Sequence, residues 1–526
     1  MQLIGSSEQH QIDQAWQAGT GLPLLLLMEA AATAVYRFCV TVADARKQDR
    51  HPPVLVLCGR GQNGGDAYAC ARLLIAAGWP VRCCTLFSGA DLPDEAKMNR
   101  NALERLGVKL QPPAASDFQN LQDGLILDGI FGSGFLVERG VPEVFRQVSQ
   151  WVSEARSRNN KVIAIDMPSG VASDSGQADP AAIKADWTVT FVRPKIGLIS
   201  APGCFFAGEV HTDPIGIPAA LVQSVLDQTD QAPVYQLDRT VTPDWCPIRP
   251  PDAHKGLFGR LLLVGGTDTM PGAVALAAES AARSGLGLLQ LAVPRQIRDS
   301  LLAACPEALQ LPLGQTDEIP AGLTDAVQSA DAVAIGPGIG RPVWLAGLLR
   351  LLISTARNLV IDADALNEIS REPDAFWALA AQRRRDQLPP PVLTPHPGEF
   401  HRLAPDLDLA DRLHAAAGLA ARSSCAVVLK GAATVIALPG GPCWINTSGQ
   451  DGLARGGSGD ILTGMVGALL AQHLLPEQAA CTAVFCHGLA ADLAAAERGR
   501  RAMLPRDLLT RLGSAWYEAG WEVNHV

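Results

Sequence analysis

A glycine-rich turn followed by one carboxylate stands out in the second half of the chain. Residues 446–465 read NTSGQDGLARGGSGDILTGM, so the turn 456–459 and Asp460 begin an apolar, helix-like run. Small residues let the backbone approach an anion closely, and the first free amides of a helix point toward it. The pattern therefore predicts a phosphate site with Asp460 as a general base. The alternative is that Asp460 only caps the helix, because aspartate is a favoured N-cap residue.

Three loops in the first half also carry side chains that could do chemistry. Each follows a short apolar run, and their sequences are CGRGQNGGD, DGIFGSG and DMPSG. Asn63, Asp128 and Ser169 in these loops supply oxygen atoms that suit a hard cation. A single loop of this kind is often only a turn, but three in succession favour a shared binding site.

The elements that must position these loops alternate between strands and helices in both halves. Short apolar runs separated by helix-length segments are typical of parallel sheets covered by helices. We predict an α/β protein with two three-layer α/β/α domains, and ligands at the carboxyl ends of the strands. The predicted strands are 54–58, 81–87, 125–128, 162–166, 187–192, 260–264, 286–293, 331–335, 359–362, 392–394 and 426–429, with helices at 67–77 and 272–283 among those between them.

A proline-rich segment without apolar periodicity separates the halves. It runs from about residue 228 to 252 and contains five prolines. Proline interrupts helices and strands, so such a segment marks a boundary. We therefore predict a first domain at 1–227, a linker at 228–244 and a second domain at 245–526.

Bulk composition favours small-molecule chemistry. The 526 residues carry a net charge of -10, which gives no overall attraction to nucleic acid or to an anionic membrane. The twelve cysteines form no CxxC pair, and the start of the chain has no signal-like pattern, so we expect a cytoplasmic protein. No apolar stretch reaches the length of a membrane span, and the longest candidate is the short stretch 22–28. We expect no nucleic-acid or membrane partner, and a homo-oligomer.

The loops of the first half resemble those of the NAD(P)H-hydrate epimerase family, the YjeF N-terminal domain, over about residues 1–225. That family's patterns are NNGGDG, DxxxGTG and DxPSG, from which this chain departs at Gln62 and Ala67, and at Ala30 after Met-Glu. The resemblance implies a Rossmann-like fold and Asp166 as the proton-transfer residue. It implies a potassium ion at Asn63, Asp128 and Ser169. It implies substrate contacts at Gln62, Asn63, Gly64, Gly65, Asp66, Gly132, Ser133, Gly134, Phe135, Leu136, Val137, Glu138 and Asp166.

The second half resembles the ribokinase-like NAD(P)H-hydrate dehydratase domain over about residues 245–515. The segments HKGLFGR, GPGIG, TPHPGE, KGAAT and GGSGD occur in the family's order. The resemblance implies that Ala273, Gly338, His396 and Asp460 contact the hydrated nicotinamide. It implies that magnesium accompanies an adenine nucleotide, ADP or ATP, bound by Lys430, Gly431, Ala432, Ala433, Thr434 and Gly459. Taken singly, His396 fits a surface turn and Lys430 a solvated lysine better than they fit ligand contacts, and Asp362 fits a structural aspartate as well as it fits an organiser of polar contacts.

Together the two resemblances imply a fused repair enzyme for hydrated NADH and NADPH. The first domain interconverts the R and S epimers, and the second dehydrates the S epimer at the expense of ADP, giving AMP and phosphate. One alternative is a ribokinase-like kinase acting on a vitamin precursor or a sugar. Another is that the first domain is a non-catalytic scaffold that binds RNA or a ligand.

Overall fold

The structure, a computed structural model, describes residues 1–45, 51–87, 91–314 and 316–522. Two compact units divide the chain between Gln231 and Ala232. The segment 228–244, for which a linker is predicted, also contains a strand, Val234–Leu237, which pairs in parallel with Cys443–Asn446. The prolines of this segment flank the strand rather than interrupt it, so a four-residue strand fits between them.

The first unit is built on a parallel sheet. Its order is β3-β2-β4-β5-β6-β7, and every neighbouring pair is parallel. β3 pairs with β2 on one side, and β4 pairs with β2 on the other side. This reversal of strand order leaves a crevice at the carboxyl ends of β2 and β4. The strands are β1 (Gln2–Leu3), β2 (Val54–Cys58), β3 (Val81–Thr85), β4 (Leu125–Gly129), β5 (Lys161–Ile165), β6 (Trp187–Phe191) and β7 (Glu209–Asp213).

Helices cover both faces of this sheet. Val54 and Val56 of β2 belong to one buried apolar cluster, while Leu55 and Leu57 belong to another. A strand buried on both faces reads as a continuous apolar run, which is why β2 is recognisable in the sequence. The helices are α1 (Ser6–Thr20), α2 (Leu25–Ala45), α3 (Gln62–Ala76), α4 (Asp94–Arg105), α5 (Ala115–Gln119), α6 (Glu143–Arg156), α7 (Ile196–Ile199), α8 (Cys204–Ala207) and α9 (Ala219–Leu226), with a 3₁₀ turn at Val137–Arg139.

The second unit contains a larger, mostly parallel sheet. From β8 its order is β8-β17-β16-β15-β14-β13-β12-β9-β10-β11, and the pairs β15-β16 and β16-β17 are antiparallel. The carboxyl ends of β9, β12, β13, β14 and β15 lie along one edge, because these strands run parallel. The strands are β8 (Val234–Leu237), β9 (Arg260–Val264), β10 (Leu288–Pro294), β11 (Leu309–Leu313), β12 (Ala332–Ile335), β13 (Leu359–Ile361), β14 (Val392–Leu393), β15 (Ala426–Leu429), β16 (Val435–Ala437) and β17 (Cys443–Asn446).

Two apolar clusters sandwich the second sheet as well. Leu261 and Leu263 of β9 pack with α10 and the C-terminal helices, whereas Leu262 and Val264 face the opposite helix layer. The predicted α/β class with helices on both faces of parallel sheets is therefore confirmed. The helices are α10 (Pro271–Ala282), α11 (Arg298–Ala304), α12 (Leu323–Ser329), α13 (Leu345–Thr355), α14 (Ala363–Ile369), α15 (Pro373–Arg385), α16 (Pro397–Leu403), α17 (Arg412–Ser423), α18 (Ser458–Ala471), α19 (Pro476–Arg498) and α20 (Pro505–Glu518), with 3₁₀ turns at Thr242–Trp245, Lys255–Phe258, Arg295–Ile297 and Asp451–Leu453.

Two helices are longer and more apolar than the sequence analysis anticipated. Leu25–Ala45 has 21 residues and Pro476–Arg498 has 23, and both reach a mean hydropathy of 1.5, so length and composition alone would let them cross a membrane. The statement that no stretch reaches that length was wrong, because charged residues within each helix hid its full extent. Within the most apolar 18-residue window of each helix, the buried share is 44% for Leu25–Ala45 and 72% for Pro476–Arg498. Core helices pass the same test, so this is weak evidence for a membrane span.

Candidate functional site

The crevice at the carboxyl ends of β2 and β4 opens into a cavity of about 740 Å³ in the first unit. The loops that were predicted to contact the substrate form much of the lining of this cavity. Of the predicted substrate contacts, the lining residues are Gln62, Asn63, Asp66, Gly132, Ser133, Gly134, Phe135, Leu136 and Asp166. The structure therefore brings most of this set together around one space.

Four predicted contacts do not line this cavity: Gly64, Gly65, Val137 and Glu138. The segment predicted as a loop is instead the first turn of α3, which begins at Gln62. A Cβ at Gly64 would lie 2.2 Å from the carbonyl oxygen of Gly59, and one at Gly65 would lie 2.4 Å from Met28 Cε. These glycines permit close packing of α3. Val137 and Glu138 lie in the 3₁₀ turn that follows the lining loop.

The three oxygen-bearing residues Asn63, Asp128 and Ser169 meet beside the backbone of Phe131. Asn63 Nδ2 donates to the Phe131 carbonyl at 2.9 Å, and the Phe131 amide donates to Ser169 Oγ at 2.8 Å. Ser169 Oγ in turn donates to Asp128 Oδ1 at 2.5 Å. Burial raises the pKa of Asp128 to about 6, although hydrogen bonds from Ser169 and Ile130 oppose that shift. Asn63 Oδ1 is buried without a hydrogen-bond partner in the described part of the chain, so it remains available to a cation.

Asp166 lies directly after β5 in a strained conformation. Its φ is 62°, in the left-handed region that non-glycine residues seldom adopt, and its side chain accepts from Thr190 Oγ1 at 3.0 Å. Lys195 Nζ lies 2.6 Å from Asp166 Oδ1 and also donates to the Phe191 carbonyl at 2.9 Å. Strained residues held by their surroundings cluster at functional sites. The contacts of Asp166 thus fix one carboxylate at the cavity wall.

The sequence analysis missed two groups beside Asp166. Lys195 is fully buried, and Asp13 of α1 lines the same cavity. Burial raises the pKa of Asp13 to about 6 and that of Asp66 well above its usual range. Asp13 follows buried Ile12 on an amphipathic helix, and a carboxylate at the edge of an apolar face was the signal that could have identified it.

In the second unit, Asp460 belongs to a cluster of charged side chains. It is the third residue of α18, and the N-cap is Gly457, whose φ is 102°. The helix-cap interpretation of Asp460 was therefore wrong, because Asp460 lies within the first turn of the helix. The cap position has a left-handed backbone conformation that favours glycine, and Gly457 occupies it. Burial raises the pKa of Asp460 to about 6; neighbouring Asp362 adds to the shift and Lys430 opposes it.

Lys430 and Asp362 form the centre of this cluster. Lys430 Nζ donates to Asp362 Oδ1 at 2.8 Å, and Thr463 Oγ1 donates to Asp362 Oδ2 at 2.6 Å. Burial works against the charged form of Lys430, but Asp362 and Glu399 outweigh it and raise the pKa of the ammonium. A Cβ at Gly459 would lie 3.3 Å from Lys430 Nζ, so the glycine turn and the lysine are adjacent.

His396 begins helix α16 and connects to the same cluster through Glu399. Its Nδ1 accepts from the Gly398 amide at 3.0 Å and its own amide donates to Glu399 Oε2 at 2.8 Å, which is a reciprocal capping arrangement. Glu399 Oε2 lies 3.9 Å from Lys430 Nζ. Because His396 keeps about half of its side chain exposed, it can serve both as a cap and as a ligand contact.

The remaining predicted positions lie on neighbouring loops. A Cβ at Gly338, whose φ is 59°, would lie 3.1 Å from the Cβ of Ala273, so these two predicted substrate contacts adjoin each other. The segment after Lys430 turns sharply through Gly431, with φ 142°, and Ala433, with φ 49°. Thr434 Oγ1 closes the turn by donating to the Gly431 carbonyl at 2.8 Å. Ala432 lies inside this turn and is exposed.

Two further groups that sequence reasoning missed support the start of α18. His487 Nε2 lies 3.0 Å from the Ser458 carbonyl, and burial lowers the pKa of this histidine to about 4. Ser458 Oγ is buried and has no hydrogen-bond partner within the described ranges. An unpaired hydroxyl at a helix N-terminus suits an anion.

The described residues of the two units contain no metal centre built from protein side chains alone. Among the described residues, no group of three or more His, Cys, Asp or Glu side chains is arranged to hold a metal ion. Magnesium commonly takes one or two carboxylates and completes its shell with phosphate oxygens and water. The second site therefore fits an ion that arrives with a nucleotide.

Comparison with known proteins decides the family. Residues 25–197 match the family model described as YjeF-related protein N-terminus, and residues 261–513 match the one described as NAD(P)H-hydrate dehydratase. A Moorella thermoacetica protein named bifunctional NAD(P)H-hydrate repair enzyme Nnr is 35% identical over 533 residues, covering 97% of this chain and 95% of its own. The chain belongs to the bifunctional NAD(P)H-hydrate repair enzyme family.

A second relative is similar over nearly the whole chain, and a solved structure is similar to about half of it. The Escherichia coli protein of the same name is 35% identical over 496 residues, with 94% of this chain and 89% of its own covered. A solved Bacillus subtilis structure, described as an ADP/ATP-dependent NAD(P)H-hydrate dehydratase co-crystallised with ATP and Mg²⁺, is 30% identical with a TM-score of 0.46 and covers 55% of this chain and 100% of that one. The predicted membership of both halves is confirmed.

Proposed function

We propose that the chain repairs hydrated NADH and NADPH in two steps, one in each domain. The first domain, proposed at 1–227, interconverts the R and S epimers, and the second, proposed at 245–526 beyond a linker at 228–244, dehydrates the S epimer. The observation that carries the proposal is the match of both family models in one chain whose relatives are similar along nearly its whole length. A dehydratase that accepts one epimer leaves the other unused unless something converts it, so the two activities complement each other.

The dehydratase step begins with activation of the substrate hydroxyl. Hydroxide is a poor leaving group, whereas phosphate leaves readily. Asp460 accepts the hydroxyl proton as the oxygen attacks the terminal phosphorus of the nucleotide. The carbon–oxygen bond then breaks as orthophosphate leaves, and loss of a proton from the adjacent carbon restores the ring double bond. With ADP as co-substrate the products are NAD(P)H, AMP and phosphate.

Residues around the glycine turn are suited to hold the nucleotide and the hydrate in this step. Ala273, Gly338, His396 and Asp460 are the proposed contacts to the hydrate. The ammonium of Lys430 and the amides of α18 offer positive charge to the phosphates, which magnesium screens further when bound. The proposed nucleotide contacts are Lys430, Gly431, Ala432, Ala433, Thr434 and Gly459.

The epimerase step needs proton transfer at the hydroxyl oxygen and at the ring nitrogen, which are bonded to the same carbon. Asp166 is the proposed proton-transfer residue, because it is fixed at the cavity wall by Lys195 and Thr190. The proposed substrate contacts are the predicted set at 62–66 and 132–138.

Asn63, Asp128 and Ser169 are the proposed holders of a potassium ion in the first domain. The unpartnered Asn63 Oδ1 and the buried carboxylate of Asp128 are the donors that such an ion requires. When bound, potassium supplies a fixed positive charge near the cavity wall. Epimer exchange should fall when potassium is replaced by lithium, and Asn63→Leu should make exchange insensitive to that replacement. Equal exchange rates of the wild type in both salts would contradict this site.

Product analysis of the S hydrate incubated with the full chain and ADP tests the second activity. The account predicts equal amounts of orthophosphate and reduced nicotinamide, detected by phosphate assay and absorbance. A small-molecule kinase would instead accumulate a phosphorylated compound without orthophosphate. The same assay with ATP establishes which nucleotide is used faster.

The proposed enzyme acts on small molecules and needs no nucleic acid or membrane. The alternative role of the first domain as an RNA-binding scaffold predicts tight RNA binding without epimer exchange. We also propose a cytoplasmic homo-oligomer, which light scattering on the purified chain tests directly.

A further inference from the structure

Three carboxyl groups that line the cavity of the first unit interact with a single buried ammonium. Asp13 comes from α1, Asp66 from the first turn of α3 and Asp166 from the end of β5. Lys195 is the ammonium, and its Nζ lies 2.6 Å from Asp166 Oδ1. These groups come from separate elements, so the fold assembles them around a common space.

The ammonium of Lys195 is paired with Asp166, while Arg60 and Arg139 also line the cavity. Lys195 is fully buried, and its ammonium also donates to the Phe191 carbonyl at 2.9 Å. Asp13 accepts from Gln9 Nε2 at 2.9 Å, and Lys195, Asp166, His10 and Asp66 are the charged or titratable groups that act on it. Burial penalises the charged form of a carboxyl group, so it favours protonation of Asp13 and Asp66 although Lys195 opposes this.

The environments of the carboxyl groups therefore differ in the way that acid–base catalysis requires. Burial raises the pKa of Asp13 to about 6, so this group exchanges a proton near neutral pH. Burial and the neighbouring Asp166 raise the pKa of Asp66 well above its usual range, which favours the protonated form of this group. Two carboxyl groups with separated roles, one ion-paired and one protonated, are the usual arrangement of an acid and a base.

Epimerisation of a carbinolamine moves protons at two different atoms. When the ring opens, the hydroxyl oxygen loses its proton, a carbonyl forms and the carbon–nitrogen bond breaks. The electron pair goes to the ring nitrogen, which gains a proton. Rotation about the adjacent carbon–carbon bond exposes the other face of the carbonyl, and ring closure reverses both transfers. No proton is consumed overall, but one acceptor and one donor must be present at once.

We propose that Asp13 is the second proton-transferring carboxyl of the epimerase, and that it works with Asp166 on the two reacting atoms of the hydrate. Asp166, paired with Lys195, accepts the hydroxyl proton while Asp13 donates to the ring nitrogen. On closure, Asp13 takes its proton back and Asp166 returns the other. This inference rests on the proposed epimerase function of the first domain.

Epimer exchange by the full chain without any nucleotide tests the proposal, because the dehydratase step then stops. Asp13→Asn keeps the shape and the contact with Gln9 but cannot donate a proton as an acid. We expect kcat for exchange to fall by about 100-fold or more, with KM little changed. Asp13→Glu should recover part of the rate. The exposed Asp44→Asn, on α2, is the matched control and should exchange at the wild-type rate.

The pH dependence separates proton transfer from a structural role. Wild-type exchange should decline as pH rises through about 6, because Asp13 loses the proton that it donates, and Asp13→Asn should lack this limb. Dehydration of the S epimer with ADP should be unchanged in Asp13→Asn and Asp13→Glu, which checks that the second domain is intact. Exchange by Asp13→Asn near the wild-type rate, or a loss confined to KM, would overturn the assignment. Absence of exchange in the wild type would instead refute the proposed epimerase function.

Discussion

Lys430 Nζ lies 2.8 Å from Asp362 Oδ1, and this partly buried ion pair lies next to the glycine turn that precedes Asp460. The lysine is held from the sheet side by Asp362, which also accepts from Thr463 of α18. The pair therefore fixes a cation between the end of β15 and the N-terminus of α18. A fixed ammonium is better suited to receive phosphate oxygens than one on a freely rotating chain.

Replacing Lys430 by methionine should weaken nucleotide binding. The variant removes the ammonium and keeps the length of the side chain, so the loss of one charge-assisted contact should raise KM for ADP by about 10-fold to 100-fold. Initial rates measured over a range of ADP concentrations give this value. Exposed Lys109→Met, in the first domain, is the control. An unchanged KM for ADP would show that the lysine serves only the ion pair.

Asp460→Asn should abolish dehydration while epimer exchange continues. The amide keeps the size of the side chain but cannot accept the hydroxyl proton, so kcat should fall by at least about 100-fold. Recovery of reduced nicotinamide from the S hydrate with ADP is the measurement. The exposed Asp299→Asn should behave as wild type. Near-normal recovery by Asp460→Asn would remove this residue from the mechanism.

Dehydration should lose rate as the pH falls below about 6. Asp460 acts as a base only in its ionised form, and burial raises its pKa to about 6. The ionised fraction therefore falls about tenfold for each pH unit below that value. Initial rates between pH 5 and pH 8 at saturating ADP test this. A flat profile down to pH 5 would argue against Asp460 as the titrating base.

His487 should make the second domain less stable in mild acid. Burial lowers its pKa from 6.5 to about 4, so the unfolded state binds more protons than the folded state between these values, and stability is lost as the pH falls through them. The shift corresponds to about 2 kcal/mol between pH 7 and pH 5. Urea unfolding at both pH values should show this loss in the wild type but not in His487→Gln. Equal losses in the two proteins would contradict the buried, neutral histidine.

The sequence revealed most strands that are buried on both faces, but it missed two edge strands and, inside the second sheet, the short strands Val435–Ala437 and Cys443–Asn446. Strands such as Val54–Cys58 and Arg260–Val264 are continuous apolar runs because helices cover both sides. Glu209–Asp213 and Leu309–Leu313 were not predicted. Both end a sheet and keep exposed positions, so their patterns resemble loops.

Site residues were predictable where a glycine motif marked them and not where only tertiary packing places them. Asp166 and Asp460 stand in such motifs and remain predicted catalytic residues. Asp13, Lys195 and His487 carry no local signal of equal strength, because their roles depend on neighbours far away in the sequence. Residues 62–66 were predicted to form a loop because glycine is unfavourable inside a helix, but in the structure they form the start of α3.

Repair of a mixture of R and S hydrates by the full chain with excess ADP tests the central claim most directly. The account predicts that absorbance of reduced nicotinamide rises to the total hydrate supplied, with matching orthophosphate, and faster than the enzyme-free conversion of the R epimer allows. Asp166→Asn should recover only the S fraction at the fast rate. A plateau of the wild type at the S fraction would contradict a chain that carries both activities.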